Sequence, residues 1–487
     1  MKHFNLVFIL LLLITVACQK ENDTPVSQKF IETAYMDSTV NPGDDFYSFV
    51  NGKWVKNATI PDTESEVGAF LELYNRTRDN LRVVLDEAAN GTFPAGSIEQ
   101  KVGDYYASGM DSLTIEKRGY EPVKPYLDQI NALKDAPGIM AFEAMGEKDG
   151  LDYFMGVHVG ADEKNSTVNI LNFLQAGLGL PDREYYFMTD PNTTGVQNAY
   201  KKFMRRVFEL TGDDSVAAIK KAEAAYGLEK QMATSHRTNV ELRNPQINYN
   251  KKAVAELDKK MPNIGWSVFI KALGVNADSV NIAQPAYYEK LNALLKSVPV
   301  DTWKAYLRFH TIYQLSPTLP HDFVNARFDY IGRALNGQQK MRPRWERIYR
   351  YADNDLGEAL GQLYVKKYFT DEAKKRMLEL VNNLDKAFEA RISKLDWMSD
   401  ATKQTAHAKL HTFLKKIGYP DTWRDYSKVN IDSTKFFENV IACYRDNVAR
   451  ELAKVGKPVD RTEWGMSPPT INAYYNPTFN EIVFPAG

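Results

Sequence analysis

The segment that follows Thr370 constrains the fold most. Met377, Val381, Leu384, Phe388, Ile392 and Leu395 recur at spacings of three and four, which places them on one face of a helix with about 3.6 residues per turn. Thr370 stands where an N-cap is needed, and Asp371 and Glu372 put negative charge into the first turn, where the helix dipole favours it. A second helix is expected after Ser399, with Ala406, Leu410, Phe413 and Ile417 inward and Gly418 and Pro420 ending it. Comparable periodicity surrounds residues 81–89 and 200–210, and loops rich in Gly and Pro at 91–97 and 178–181 separate such stretches. The pattern predicts a mainly α chain with few strands before Ile471 and no internal repeat.

The tail changes character. Ile471-Asn472-Ala473-Tyr474-Tyr475 and Asn480-Glu481-Ile482-Val483-Phe484 are β-prone runs separated by Asn476-Pro477-Thr478-Phe479, the pattern of a hairpin. It reads as the start of a second domain. Its apolar residues Ile482, Val483 and Phe484 need a sheet partner. None is evident locally, so the tail is expected to be uncovered and poorly ordered.

The chain opens with Lys2 and a short apolar run from Leu6 to Ala17, ending in Thr15-Val16-Ala17-Cys18 before a polar stretch. That is a secretory signal, too short for a bilayer-crossing helix, which takes about 20 residues. A small residue before cysteine is the pattern of a bacterial lipoprotein signal, with Cys18 lipidated; the alternative is an ordinary signal with an incidental cysteine. The other cysteine, Cys443, lies among helix-forming residues and reads as a small buried hydrophobe. With Cys18 lipidated no disulfide within the chain is possible, so the exported protein depends on its core. The boundaries read as signal 1–18, flexible tether 19–30, helical lobe 31–435 and an incomplete further lobe 436–487. Sixty-one basic and 62 acidic residues balance to a net charge of −1, which gives no electrostatic reason to expect nucleic acid as a partner.

Among chemical motifs, His407-Ala408-Lys409-Leu410-His411 comes nearest to a metal site. Two histidines four apart on a helix share a face and can share a zinc. The zinc-protease signature, however, needs Glu after the first His as the base for zinc-bound water, and that place holds Ala408. His158, His236, His310 and His321 have no second histidine at ligand spacing. No phosphate-binding glycine loop and no Gly-x-Ser-x-Gly elbow occur. From these residues alone the chain is a large exported helical protein without a complete active site.

Several blocks together carry a resemblance. They are Asn41-Pro42-Gly43-Asp44-Asp45-Phe46-Tyr47 with Val50-Asn51-Gly52-Lys53-Trp54, then Gln175-Ala176-Gly177-Leu178-Gly179-Leu180-Pro181-Asp182-Arg183-Glu184-Tyr185-Tyr186, then Leu360-Gly361-Gln362-Leu363-Tyr364-Val365. Ile417-Gly418-Tyr419-Pro420-Asp421 and the tail from Ile471 to Gly487 complete the series. In this order they resemble the family of neprilysin, endothelin-converting enzyme and oligopeptidase O, zinc metalloendopeptidases with two largely helical lobes. The resemblance implies zinc as cofactor, oligopeptides as substrates, and a helical lid lobe followed by the first hairpin of a thermolysin-like lobe. It also implies that the tail strand pairs with the substrate backbone, Asn472 through its side-chain amide and Ala473 through its carbonyl. Glu66 stands before Gly68-Ala69-Phe70 where some relatives have an arginine that grips a free carboxylate, which favours plain endopeptidase behaviour. His-Glu-x-x-His, the zinc-binding glutamate helix and the oxyanion histidine have no counterpart up to Gly487. The chain therefore reads as the N-terminal part of the enzyme, inactive alone and in need of a C-terminal catalytic segment. A non-catalytic peptide- or partner-binding lobe exported as a lipoprotein is the alternative.

Lipidation at Cys18 would anchor the protein to the cell or outer membrane, facing the periplasm or the cell surface. Cys18→Ser is expected to release it into the soluble exported fraction, read by membrane fractionation; unchanged membrane association would count against the anchor.

Overall fold

The computed structural model describes residues 31–487; the signal, Cys18 and the tether at 1–30 lie outside the described residues. The chain divides into two units at Ile60. In the first, Asp45 caps the helix Phe46–Asn57 by accepting from the Ser48 N–H at 2.9 Å. Lys56 Nζ reaches back to Asp37 Oδ2 at 2.6 Å. Gly52 faces the same aspartate so closely that a Cβ there would lie 2.8 Å from Asp37 Cβ. The Asn41 to Trp54 block thus supplies a cap and a close approach, and the Lys56–Asp37 ion pair just outside it closes the same small element.

The second unit, residues 61–487, is built mainly of helices, and 59% of the described residues are helical. Its helices start where short acceptors meet free N–H groups. Asp190 caps Pro191–Leu210, Asp214 caps Ser215–Ala233, and Thr370 caps Asp371–Ser393 by accepting from the Ala373 N–H at 3.2 Å. Two apolar cores result. One gathers Trp266, Trp303, Phe154, Phe173 and the inner faces of Pro191–Leu210, Ser215–Ala233 and Val300–Leu315. The other lies between Ala69–Asn90, Ile98–Met110, Arg344–Asp355 and Gly357–Tyr368. The helix Phe436–Leu452 serves both, with Phe437 and Ile441 in the first core and Phe436, Val440 and Cys443 in the second.

The first core is organised around one buried carboxylate. Glu229 is fully buried and accepts from Tyr186 Oη at 2.6 Å, Tyr200 Oη at 2.8 Å and His310 Nε2 at 2.8 Å. The Tyr186 hydroxyl in turn accepts from the Gly179 and Leu180 N–H groups, each at 3.2 Å. Gly179 has no room for a side chain, since a Cβ would sit 1.7 Å from Tyr200 Oη, and Gly177 adopts φ +91°. The Gln175 to Tyr186 block is therefore a loop tied by its own last tyrosine to the centre of the core.

Strands are few and short. β1 (Val157–Asp162), β2 (Asn165–Phe173), β3 (Lys251–Ala253) and β4 (Ser279–Ile282) form a sheet of order β1-β2-β4-β3, parallel only between β2 and β4. β5 (Leu414–Gly418), β6 (Tyr474–Asn476) and β7 (Glu481–Pro485) form a second sheet of order β5-β7-β6.

Three expectations are corrected, two of them by that second sheet. The helix after Ser399 ends at His411 rather than running to Gly418, and residues 414–418 are a strand parallel to β7. Phe413 and Ile417 therefore do not continue a helix face. Their apolar spacing fits either element, and a pairing partner more than 60 residues away decides it. The tail is also covered: β7 is the central strand, Val483 is fully buried, and Ile482 and Phe484 are half-buried. On Asp371–Ser393, finally, Val381 and Ile392 are buried but Leu384 and Phe388 are exposed, so only part of the predicted face is inward.

Tyr186→Phe removes a donor from Glu229 and leaves two backbone N–H groups without an acceptor. It is expected to lower stability by about 1–3 kcal/mol, the cost of unsatisfied buried polar groups, measured as a fall in the urea midpoint.

Candidate functional site

The tail sheet lines a cavity of about 840 Å³. Behind it, Lys416 on β5 and Glu481 on β7 are both buried and meet at 2.8 Å. This ion pair locks the register that seats β6. β6 is hydrogen-bonded to β7 on one side only, so its other edge offers unpaired backbone groups of the kind an extended peptide can join. The cavity is lined by Tyr474 and Asn476 of β6 together with Tyr74, Tyr349, Arg350 and Asp353. Tyr74 and Tyr349 are hydrogen-bonded through their hydroxyls. Arg350 is exposed and lies 5.2 Å over the Tyr74 ring.

Asn472 and Ala473 immediately precede β6, which begins at Tyr474 rather than at Ile471. Both are exposed. Asn472 Oδ1 accepts from the Ala473 N–H at 2.8 Å, while its Nδ2 donates to no described residue. Glu66 is exposed in the loop before Ala69–Asn90. Its neighbour Glu64 instead pairs with Arg342.

The two histidines do share a face of Asp400–His411 and turn toward Glu389. His407 Nδ1 lies 4.0 Å and His411 Nε2 3.6 Å from Glu389 Oε1, and His407 Nε2 is 3.1 Å from Ser393 Oγ. The remaining histidines are dispersed. His310 belongs to the Glu229 network, His158 lines the cavity, and His236 is buried at the Ala176 carbonyl, where desolvation pulls its pKa down to about 4. Cys443 is buried, and desolvation pushes its thiol far above the ordinary range, as expected of a packing residue.

The model of peptidase family M13 matches residues 42–420. The chain belongs to peptidase family M13. It is 29% identical to endothelin-converting enzyme 1 of Rattus norvegicus over 473 residues, covering 93% of this chain and 61% of the rat protein. The human enzyme is 28% identical over 491 residues, with 96% and 63% coverage. The zinc metalloprotease ZMP1 of Mycobacterium tuberculosis, in complex with an inhibitor, superposes with a TM-score of 0.89 at 37% identity, over 94% of this chain and 69% of that one. PEPO from Lactobacillus rhamnosis shares the fold, with a TM-score of 0.84 at 24% identity. The chain thus spans about three-fifths of the length of the endothelin-converting enzymes it matches.

M13 proteases are zinc-dependent, and the described residues do not fit a catalytic zinc. Such a site takes three protein ligands with nitrogen among them, at about 2 Å from the metal. Among the described residues the one group of three metal-capable side chains within 4.8 Å of one another is Glu143, Glu147 and Asp152, all carboxylates. Sequence reading passed over this trio, because an i, i+4 glutamate pair looks like an ordinary solvated helix face.

Asp353 on the cavity wall is pushed up to about 6 from 3.8 by burial, against a hydrogen bond from Ser467 Oγ at 2.7 Å. The folded state therefore holds this proton more tightly than the unfolded chain. The resulting stability is full below about pH 3.8 and is lost as the pH rises through about 6. Asp353→Asn keeps an acceptor for Ser467 and cannot ionise. Its urea midpoint should gain on that of the wild type between pH 4 and pH 7, and parallel pH profiles would refute the shift.

Proposed function

We propose that this chain supplies the peptide-receiving lobe of a zinc metalloendopeptidase acting on oligopeptides. The observation that carries the reading is the free edge of β6 beside the cavity, with the unpaired Asn472 amide at its start. An extended peptide laid along β6 would pair with its backbone, take a hydrogen bond from Asn472 Nδ2 and offer an N–H to the Ala473 carbonyl. The absence of an arginine at position 66 supports cleavage within chains over release of dipeptides from a free carboxylate end. Zinc and the hydrolytic water would come with His-Glu-x-x-His, which none of the 487 residues supplies. An exported form anchored at Cys18 would present this lobe to peptides outside the cytoplasm.

The test compares the chain alone with the same chain joined to the His-Glu-x-x-His segment of an M13 relative. Zinc content is read by mass spectrometry, and cleavage of a quenched peptide with and without chelator. The joined protein should bind zinc and cleave; the chain alone should do neither. In the joined protein Asn472→Ala should cut kcat/KM roughly tenfold, the worth of one substrate hydrogen bond. Cleavage by the chain alone that disappears in a His407→Ala, His411→Ala double variant would overturn the assignment. Peptide binding by the chain without cleavage in the joined form would favour a binding lobe instead.

A further inference from the structure

The helix Ala136–Lys148 points two glutamates, one turn apart, at the loop that follows it. Glu143 is fully buried, Glu147 nearly so, and Asp152 from the loop is exposed. One ligand oxygen from each lies within 4.8 Å of the other two. Glu147 and Asp152 are hydrogen-bonded to each other, and His310 acts on Asp152 electrostatically, but no lysine or arginine of the described residues neutralises the group.

The surrounding loop is rigidly built. Glu143 Oε1 accepts from the Phe154 and Met155 N–H groups at 3.0 and 2.9 Å, and Asp152 Oδ1 from the Gly156 N–H at 3.2 Å. The carbonyls of Tyr153, Phe154 and Met155 accept from the hydroxyls of Tyr306, Tyr287 and Tyr288 at 2.6 to 2.7 Å. These three tyrosine donors are thus committed to the backbone and not to the acids. Glu143 Oε2 and Glu147 Oε1 are left buried with no hydrogen-bond partner. Buried polar atoms in folded proteins are paired as a rule, and adjoining carboxylates cannot all ionise without a compensating charge. Desolvation and the neighbouring Asp152 push both glutamates well above the ordinary carboxylate range in the bare site.

We propose that Glu143, Glu147 and Asp152 bind a hard divalent cation, calcium in the first place. The ligands are all oxygen, which suits calcium, magnesium or manganese and not zinc. Two are buried and one is open to solvent, which provides an entry path and room for the waters that complete calcium's coordination. The cation would fix the 152–156 loop, which leads straight into β1, and β1 residues His158 to Ala161 line the large cavity. Its role is structural: it braces the β1 part of the cavity lining without entering the peptidase chemistry.

The test uses the purified chain stripped with EDTA, titrated with calcium, magnesium and manganese by calorimetry and by thermal melting, with zinc as a control. One calcium per chain is expected, with a rise of the melting temperature by a few degrees. Asp152→Asn, at the exposed ligand, keeps an acceptor for Gly156 and should weaken binding at least tenfold with an unchanged circular dichroism spectrum. Glu147→Gln should do the same. The proposal is overturned if none of the three metals gives a saturable signal at millimolar concentration, or if calcium binds both variants as it binds the wild type. It is equally overturned if Glu147→Gln raises the melting temperature with calcium having no effect on either protein, because the acids would then simply share protons. None of these readouts depends on peptide cleavage.

Discussion

A single buried carboxylate holds the larger core together. Glu229 has no access to water, so its burial is tolerable only because Tyr186, Tyr200 and His310 direct polar groups at its carboxyl oxygens. Those partners come from a loop, from Pro191–Leu210 and from Val300–Leu315, and Glu229 itself from Ser215–Ala233. Four separate pieces of chain must therefore be placed correctly at once, or buried polar atoms are left unpaired. The aromatic rings around it, Tyr200 against Phe309 and Tyr330, and Tyr186 against Tyr226, fill the volume that the polar centre leaves. In this way the polar contact fixes geometry and the rings supply burial.

That arrangement also explains which parts of the sequence carried information. In the Gln175 to Tyr186 block Gly179 and the final tyrosine fit around Glu229 and Tyr200 with no space to spare. Gly361 in the Leu360 block behaves alike, since a Cβ there would lie 2.6 Å from Pro468. Thr370, Ser399 and their helices were legible because a cap and a period of three and four are local. β1 to β5 were not, because each is short and its partners lie far along the chain. Leu414 to Gly418 shows the limit: its apolar spacing continues the preceding helix on paper, while β7 claims it in space.

The candidate site was readable only in part. Asn472 and Ala473 came from the resemblance, and the structure sets them at the mouth of a free strand edge. Asp353, Arg350 and the acidic trio gave no signal in one dimension, because a lone arginine or an i, i+4 acidic pair is ordinary on an exposed helix. Their significance comes from what surrounds them: a cavity in the first two cases, and tyrosines already committed to backbone carbonyls in the third. The histidine pair is the reverse case. Its spacing invites a metal, and three dimensions give it Glu389 and Ser393 as neighbours instead.

The parallel ladder between β5 and β7 has a consequence for how the protein is made. Its two strands are separated by the whole of residues 419–480, so the ladder closes only after a long intervening stretch, including the helix Phe436–Leu452, has been synthesised and placed. Pairings of that sequence separation form late, because loop closure must precede any gain from contact. Until then Lys416 has no Glu481 to meet, and β5 presents an open flank to any other extended chain nearby. The sheet whose β6 edge stays free is thus among the last to take shape, and the nascent protein is most vulnerable to misassociation at that same sheet.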